Sequence, residues 1–236
     1  MLEIKNFSKH YGSFCAVNNL SINVKDGEIY GFIGHNGAGK STTIKAVVGA
    51  MDFDGGEIII DGTSVKKEPI ACKKKIAYVP DNPDIYEYLT GIQYLGFVCD
   101  MYGVSKEDRA GRINEYAEVF QLSSNLGDLI SSYSHGMKQK LVLISALVHN
   151  PKLLVLDEPF VGLDPIASFK LKELMREVTG KGGAIFFSTH VLEVAEKLCD
   201  RVGIIKKGEL AFEGTVEEVK ERGNLESLFL EIEGNE

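Results

Sequence analysis

A chain of 236 residues, 44% hydrophobic and 25% charged, has ordinary globular composition and room for one large domain or a domain with a sub-lobe. Its net charge of −8 disfavours a nucleic-acid binder, which needs a surplus of Lys and Arg on one face. Cys15, Cys72, Cys99 and Cys199 form no CxxC pair, so neither zinc nor a disulfide scaffold is signalled and reduced thiols are expected. The start "MLEIKNFSKHYG" lacks an apolar targeting core, and no apolar run approaches the ~18 residues of a membrane helix, so a soluble chain is expected, held at any membrane by something else. The short basic runs at 66–67, 73–75 and 206–207 read as solvated surface.

In chain order, "GEIYGFIG" (27–34) reads as a strand feeding a Gly-rich turn, and "STTIKAVVGAM" as the helix after it, with Ile44, Val47 and Val48 at helical spacing. "GGEIIIDG" (55–62) reads as half of a hairpin. "KIAYVP" (75–80), "LLVLD" (153–157), "AIFFS" (184–188) and "VGIIK" (202–206) are short apolar runs suited to strands of a parallel sheet covered on both faces, which predicts an α/β fold. From about 88 to 149 the strand signals vanish and three helices are expected. Ser105 with Asp108 approximates a capping box, and Asn150-Pro151 ends the third helix. The helical stretch reads as a lobe inserted into the α/β core.

"GHNGAGKST" fits G-x-x-x-x-G-K-[ST] through Gly34, Gly39, Lys40 and Ser41. A triphosphate needs converging N–H donors with no Cβ in the way, and the helix that follows adds its positive end. Lys40 is expected on the β/γ-phosphates and Ser41 on Mg²⁺. The competing reading, a glycine turn with an incidental Lys-Ser, lacks the strand before and helix after that this sequence supplies.

"LLVLDEP" delivers Asp157 to the carboxyl edge of the sheet, where it fits the Mg²⁺-orienting acid, and places Glu158 to polarise an attacking water. The alternative for Asp157 is a strand-ending acid that caps the next turn. Beyond "AIFFS", His190 stands beside the same edge, and a γ-phosphate contact competes with a structural histidine.

"GHNGAGKST", "YSHGM" (133–137), "LLVLDEP", "GLD" (162–164) and "STH" (188–190), in this order, resemble the nucleotide-binding subunit of ATP-binding-cassette transporters over nearly the whole chain. The resemblance implies a P-loop (RecA-like) core with a mostly parallel sheet, an N-terminal antiparallel β subdomain and an inserted helical subdomain. It divides the chain into 1–80 with 151–236 as core and 81–150 as insert. It also implies ATP hydrolysis with Mg²⁺, and two cassettes that sandwich two ATP molecules head to tail. ATP would lie on Tyr11 and on Gly34, His35, Asn36, Gly37, Ala38, Gly39, Lys40, Ser41 and Thr42. The partner's Ser134, His135 and Gly136 would close the site, with Asp164 crossing nearby. Glu158, His190 and Lys40 would carry the chemistry, and Ser41, Asp157 and Asp81 the metal.

Departures are plain. "YSHGM" differs from Leu-Ser-Gly-Gly-Gln at three of five positions, keeping the serine and second glycine. Asp81 stands where the family usually has Gln. Tyr11 also fits an ordinary hairpin tyrosine. Ile85-Tyr86-Glu87-Tyr88-Leu89 fits either a docking surface for a membrane-spanning permease or packing within the helical lobe. The tail "GNLESLFLEIEGN" resembles exporter-type endings. The expected protein is a cassette ATPase that works with a permease and a second copy or homologue, on the inner face of the cell membrane, without nucleic acid. Cassettes acting on DNA or ribosomes, and regulatory cassettes that bind ATP without hydrolysing it, are the rivals. A GTPase lacks support, since no Asn-Lys-x-Asp segment occurs.

Overall fold

The computed structural model describes residues 1–234; the last two residues of the chain, including the end of the exporter-like tail, lie outside the described residues. Strands β1 (Leu2–Tyr11) and β2 (Phe14–Val24) form an antiparallel hairpin, β3 (Ile29–Ile33) runs into α1 (Lys40–Val47), and β4 (Gly55–Ile60) turns back as β5 (Thr63–Ser64). After α2 (Pro69–Lys73) and β6 (Ile76–Val79) come three helices, α3 (Gly91–Tyr102), α4 (Lys106–Val119) and α5 (His135–Leu147). The chain then alternates through β7 (Leu153–Asp157), α6 (Pro165–Gly180), β8 (Ala184–Thr189), α7 (Leu192–Leu198) and β9 (Arg201–Lys206). It closes with β10 (Glu209–Thr215), α8 (Val216–Glu221) and α9 (Leu225–Gly234).

Two sheets result. One is antiparallel, in the order β2-β1-β4-β5; the other runs β10-β9-β3-β8-β7-β6, parallel throughout except for β10 on its edge. Every residue of β3, β7 and β8 is buried, which is why these strands read as unbroken apolar runs. Period-two alternation sends Phe186 to one face, against Tyr30 and Phe32 at ring distances of 5.8 and 5.4 Å, and Phe187 to the other, 6.2 Å from Phe160. Each such ring contributes about 1.5–3 kcal/mol on burial. On the first face Phe7, Leu20 and Ile58 join the antiparallel sheet to the parallel one. On the second the helices cover it, and α5 is buried continuously from Leu141 to Leu147.

Local details correct the sequence expectations. The Ser105 hydroxyl accepts the Asp108 N–H at 3.1 Å, but the Asp108 carboxylate turns to Arg112, so only half of a capping box forms. Reciprocal boxes form instead at Thr90 and Gln93, opening α3, and at Thr215 and Glu218, opening α8. Two basic runs are not simply solvated. Lys75 donates to the Asp61 carbonyl at 3.0 Å and to Thr63 Oγ1 at 2.9 Å, and Lys206 donates to the Ile232 carbonyl of α9 at 2.7 Å.

His149 stacks flat on Tyr102, with ring centroids 3.6 Å apart, and burial pulls its pKa down from 6.5 to about 4. A folded-state value below the unfolded one means that the unfolded chain binds the extra proton first. Stability is therefore full above pH 6.5 and falls as the pH drops towards 4. The loss is expected to reach ~3 kcal/mol, and His149→Gln should flatten that part of a Tm-versus-pH curve.

Candidate nucleotide-binding site

Between β3 and α1 the chain turns through residues 34–39, and close packing dictates glycine at two positions. Gly39 has φ 114°, and a Cβ there would stand 2.9 Å from the Ala16 carbonyl oxygen. A Cβ on Gly34 would lie 2.6 Å from the Ile205 carbonyl oxygen. The loop is thus wedged between β2 and β9, and the Gly208 N–H donates to the Ala38 carbonyl at 3.0 Å. No side chain caps α1, so its first N–H groups remain available to an anion.

Lys40 is buried and curls back over this loop, donating to the carbonyls of Gly34 at 2.6 Å and His35 at 3.1 Å. Burial lowers its pKa, while the charges of Glu158 and Asp157 oppose that shift. A cavity of about 260 Å³ opens beside it, lined by Tyr11, Phe14, Asn36, Lys40, Ser41 and Thr42 among others. Tyr11 is half exposed and bonded through its hydroxyl to Met51 Sδ at 2.8 Å. Phe14, its cross-strand partner at the hairpin tip, is 63% exposed and supplies a second aromatic surface that the motifs did not flag. The His35 side chain turns away to α9, with Nε2 3.7 Å from Glu233 Oε2 and its ring 4.9 Å from Phe229.

At the carboxyl edge of the sheet, buried Asp157 accepts a hydrogen bond from Ser188 Oγ at 2.5 Å. The same hydroxyl accepts the Glu158 N–H at 3.2 Å, so Ser188 holds two successive acids in place across the β7–β8 pair. In the sequence Ser188 stood in the "AIFFS" run and in the "STH" motif, neither of which pointed to this role. Glu158 adopts φ 49°, a left-handed conformation that costs about 1–3 kcal/mol in a non-glycine residue. Its Oε1 lies 3.0 Å from His190 Nδ1, and its Oε2 accepts the His190 N–H at 3.3 Å. Asp81 is exposed just beyond β6. Tyr78 feels both acids: burial first, then the charges of Asp157 and Asp81, push its phenol up to about 12.

Residues 134–136 do not line the loop cavity. Ser134 and His135 are exposed, and Ser134 caps α5 by accepting the Met137 N–H at 3.2 Å. A Cβ on Gly162 would lie 2.7 Å from His135 Cδ2, so the "GLD" turn packs on this corner within the same chain. Asp164 caps α6, accepting the Ala167 N–H at 2.8 Å, and pairs with Lys140 at 2.7 Å, which holds its carboxyl below the usual range. The 85–89 segment divides between the two expectations. Ile85 and Leu89 pack on the lobe's core, while Tyr88 is 94% exposed and Tyr86 stands edge-on to Phe97 at 5.9 Å.

A strand, a glycine loop and a helix around a buried lysine, with an acid at the end of a parallel strand one removed in the same sheet, define a P-loop nucleoside triphosphatase. The sequence pattern of the ABC transporter family matches residues 17–161. The ABC-type transporter ATP-binding protein EcsA of Bacillus subtilis is 35% identical over 237 residues, spanning 98% of this chain and 96% of that protein. The bacitracin transport ATP-binding protein BcrA of Bacillus licheniformis is 37% identical over 223 residues, spanning 94% and 72%. A solved ATP-binding subunit of an ABC transporter superposes with TM-score 0.95 at 35% identity, over 98% of this chain and 99% of that one. The dimeric cassette MJ0796, in a post-hydrolysis state with ADP and Pi, matches at TM-score 0.84 and 25% identity, over 92% and 99%. This chain belongs to the ABC transporter family, as an ATP-binding and ATP-hydrolysing cassette subunit.

Proposed function

We propose that the chain is the motor of a membrane exporter, working as a head-to-tail pair of cassettes. The observation that supports this reading is that Ser134, His135 and Gly136 are not among the residues lining the loop cavity. Residues 36, 37 and 39–42 of the loop line a cavity, while the corner at Ser134–Gly136, exposed at Ser134 and His135, is no part of that lining and opens a second helix at its positive end. In a head-to-tail pair, the corner of one copy would meet the triphosphate held by the loop of the other. Residues 81–150 then form the inserted lobe that carries this corner.

ATP would sit with its base on Tyr11 and its phosphates in the 34–42 loop, with Lys40 leaving the carbonyls of Gly34 and His35 for the β/γ-phosphates. Glu158 would accept a proton from the attacking water, and His190, already bonded to it, would orient that carboxylate and meet the γ-phosphate. Ser188 keeps Asp157 and Glu158 in register. The hydroxyl of Ser41 with the carboxylates of Asp157 and Asp81 is a hard oxygen set that suits Mg²⁺. When bound, the metal neutralises charge on the phosphates. The partner's Ser134, His135 and Gly136 would cover the same phosphates, with Asp164 near the boundary.

Among the described residues no helix is long and apolar enough to cross a membrane. A permease is therefore proposed as the membrane-spanning partner, with the chain peripheral on its cytoplasmic side. The open apolar surface of Tyr86, Tyr88, Leu89 and Phe97, about 410 Å³ in volume, supports docking there. Export rather than import is supported by relatives named for bacitracin transport and linearmycin resistance, and by the tail.

The test uses Ser134→Ala in a Glu158→Gln background that blocks hydrolysis. Monomer affinity for Mg-ATP should stay within about twofold, while the ATP-dependent dimer falls about tenfold, as expected for loss of one charge-assisted contact. An equal loss in monomer affinity would mean that Ser134 serves its own site, and the paired scheme would be wrong.

A further inference from the structure

The first turn of α5 is tied to its surroundings on several sides. Lys138 pairs with Glu87 in the segment before α3, Lys140 pairs with Asp164 at the start of α6, and His135 and Gly136 lie against Gly162. Between the two lysines stands Gln139. It is fully buried, and neither Oε1 nor Nε2 of its amide has a hydrogen-bond partner among the described residues. Helical geometry puts Gln139 on the same face as His135, Gly136, Val142 and Leu143, behind the exposed corner and facing the protein body.

A buried amide without partners is costly, and an apolar side chain of the same length would fill the space without that penalty. Such a group is accounted for if a second arrangement of the turn satisfies it. The segments reached by Lys138 and Lys140 bracket Gln139 and carry backbone N–H and C=O groups. A small shift of α5 against either segment changes which of those groups come within hydrogen-bonding distance.

We propose that Gln139 is a positioning residue for the signature corner, its amide acquiring hydrogen bonds when ATP draws Ser134–Gly136 onto the opposing copy. The unsatisfied amide raises the energy of the open arrangement relative to the closed one, and so favours closure. This inference rests on the paired-cassette reading above.

The experiment compares Glu158→Gln with Glu158→Gln carrying Gln139→Met, by light scattering across an ATP titration. Met matches the length and removes the hydrogen-bonding groups. The nucleotide-free Tm should be unchanged or higher, while the ATP concentration for half-maximal dimer rises about tenfold, equivalent to ~1.4 kcal/mol. Gln139→Asn, which keeps an amide, should recover part of that shift. A Met variant that dimerises at the parent's ATP concentration overturns the role of Gln139 alone. A parent that stays monomeric with ATP overturns the paired reading and this inference with it. Should Gln139→Met fail to fold, the side-chain NH₂ signals of Gln139 in the parent decide the matter. Slower hydrogen exchange there on adding ATP supports the proposal, and unchanged exchange overturns it.

Discussion

Glu158→Gln should abolish steady-state ATP hydrolysis, lowering kcat by about 10²–10⁴-fold while leaving Mg-ATP binding intact. The substitution keeps shape and volume and removes only basicity. An amide can still accept the His190 N–H, which in the parent meets Oε2 at 3.3 Å, so the left-handed turn at residue 158 should survive. What is lost is the ability to take a proton from water. The variant should therefore bind ATP, pair and remain paired, which gel filtration with and without Mg-ATP reports. Hydrolysis at the parent's rate would move the general base elsewhere, with His190, bonded to Glu158, the first alternative to test.

The second large effect is expected at Lys40. Lys40→Met should weaken ATP binding by about 100-fold, read by equilibrium titration, with little change in Tm. The ammonium is buried and bonded to two carbonyls of its own loop, so it is held close to where the phosphates arrive. Replacing it with an apolar chain of similar length removes a charge that burial disfavours, so folding loses little. The bound triphosphate, by contrast, loses a charge-assisted contact in a water-poor site. A variant that binds ATP as the parent does would show that the backbone N–H groups of the loop and the uncapped start of α1 carry the affinity alone.

Much of the fold was legible because its strands are buried on both faces. "LLVLD" and "AIFFS" stand out as apolar runs, and the structure places them as adjacent parallel strands. β1, β2 and β10 are one-sided or on a sheet edge, so their mixed composition left them unread at the residue level. The phosphate loop announced itself because its glycines are forced by close approach to Ala16 and Ile205. The supporting groups did not. Ser188, Lys140 and Phe14 are ordinary residue types whose partners lie 31, 24 and 3 positions away, and only folding brings each pair together. The basic runs misled for the same reason, since the carbonyls that accept Lys75 and Lys206 belong to segments distant in sequence or late in the chain.

The phosphate loop is braced by segments that precede and follow it in the sequence: by Ala16 in β2, and by Ile205 in β9 with Gly208 in the turn after it. During translation the amino-terminal half leaves the ribosome first, with its motif already complete as sequence. Its loop is not yet braced on the far side, because β9 and the turn after it are still unmade. A polypeptide whose β9 has not yet been made lacks that brace, and is expected to hold nucleotide less well than a finished cassette.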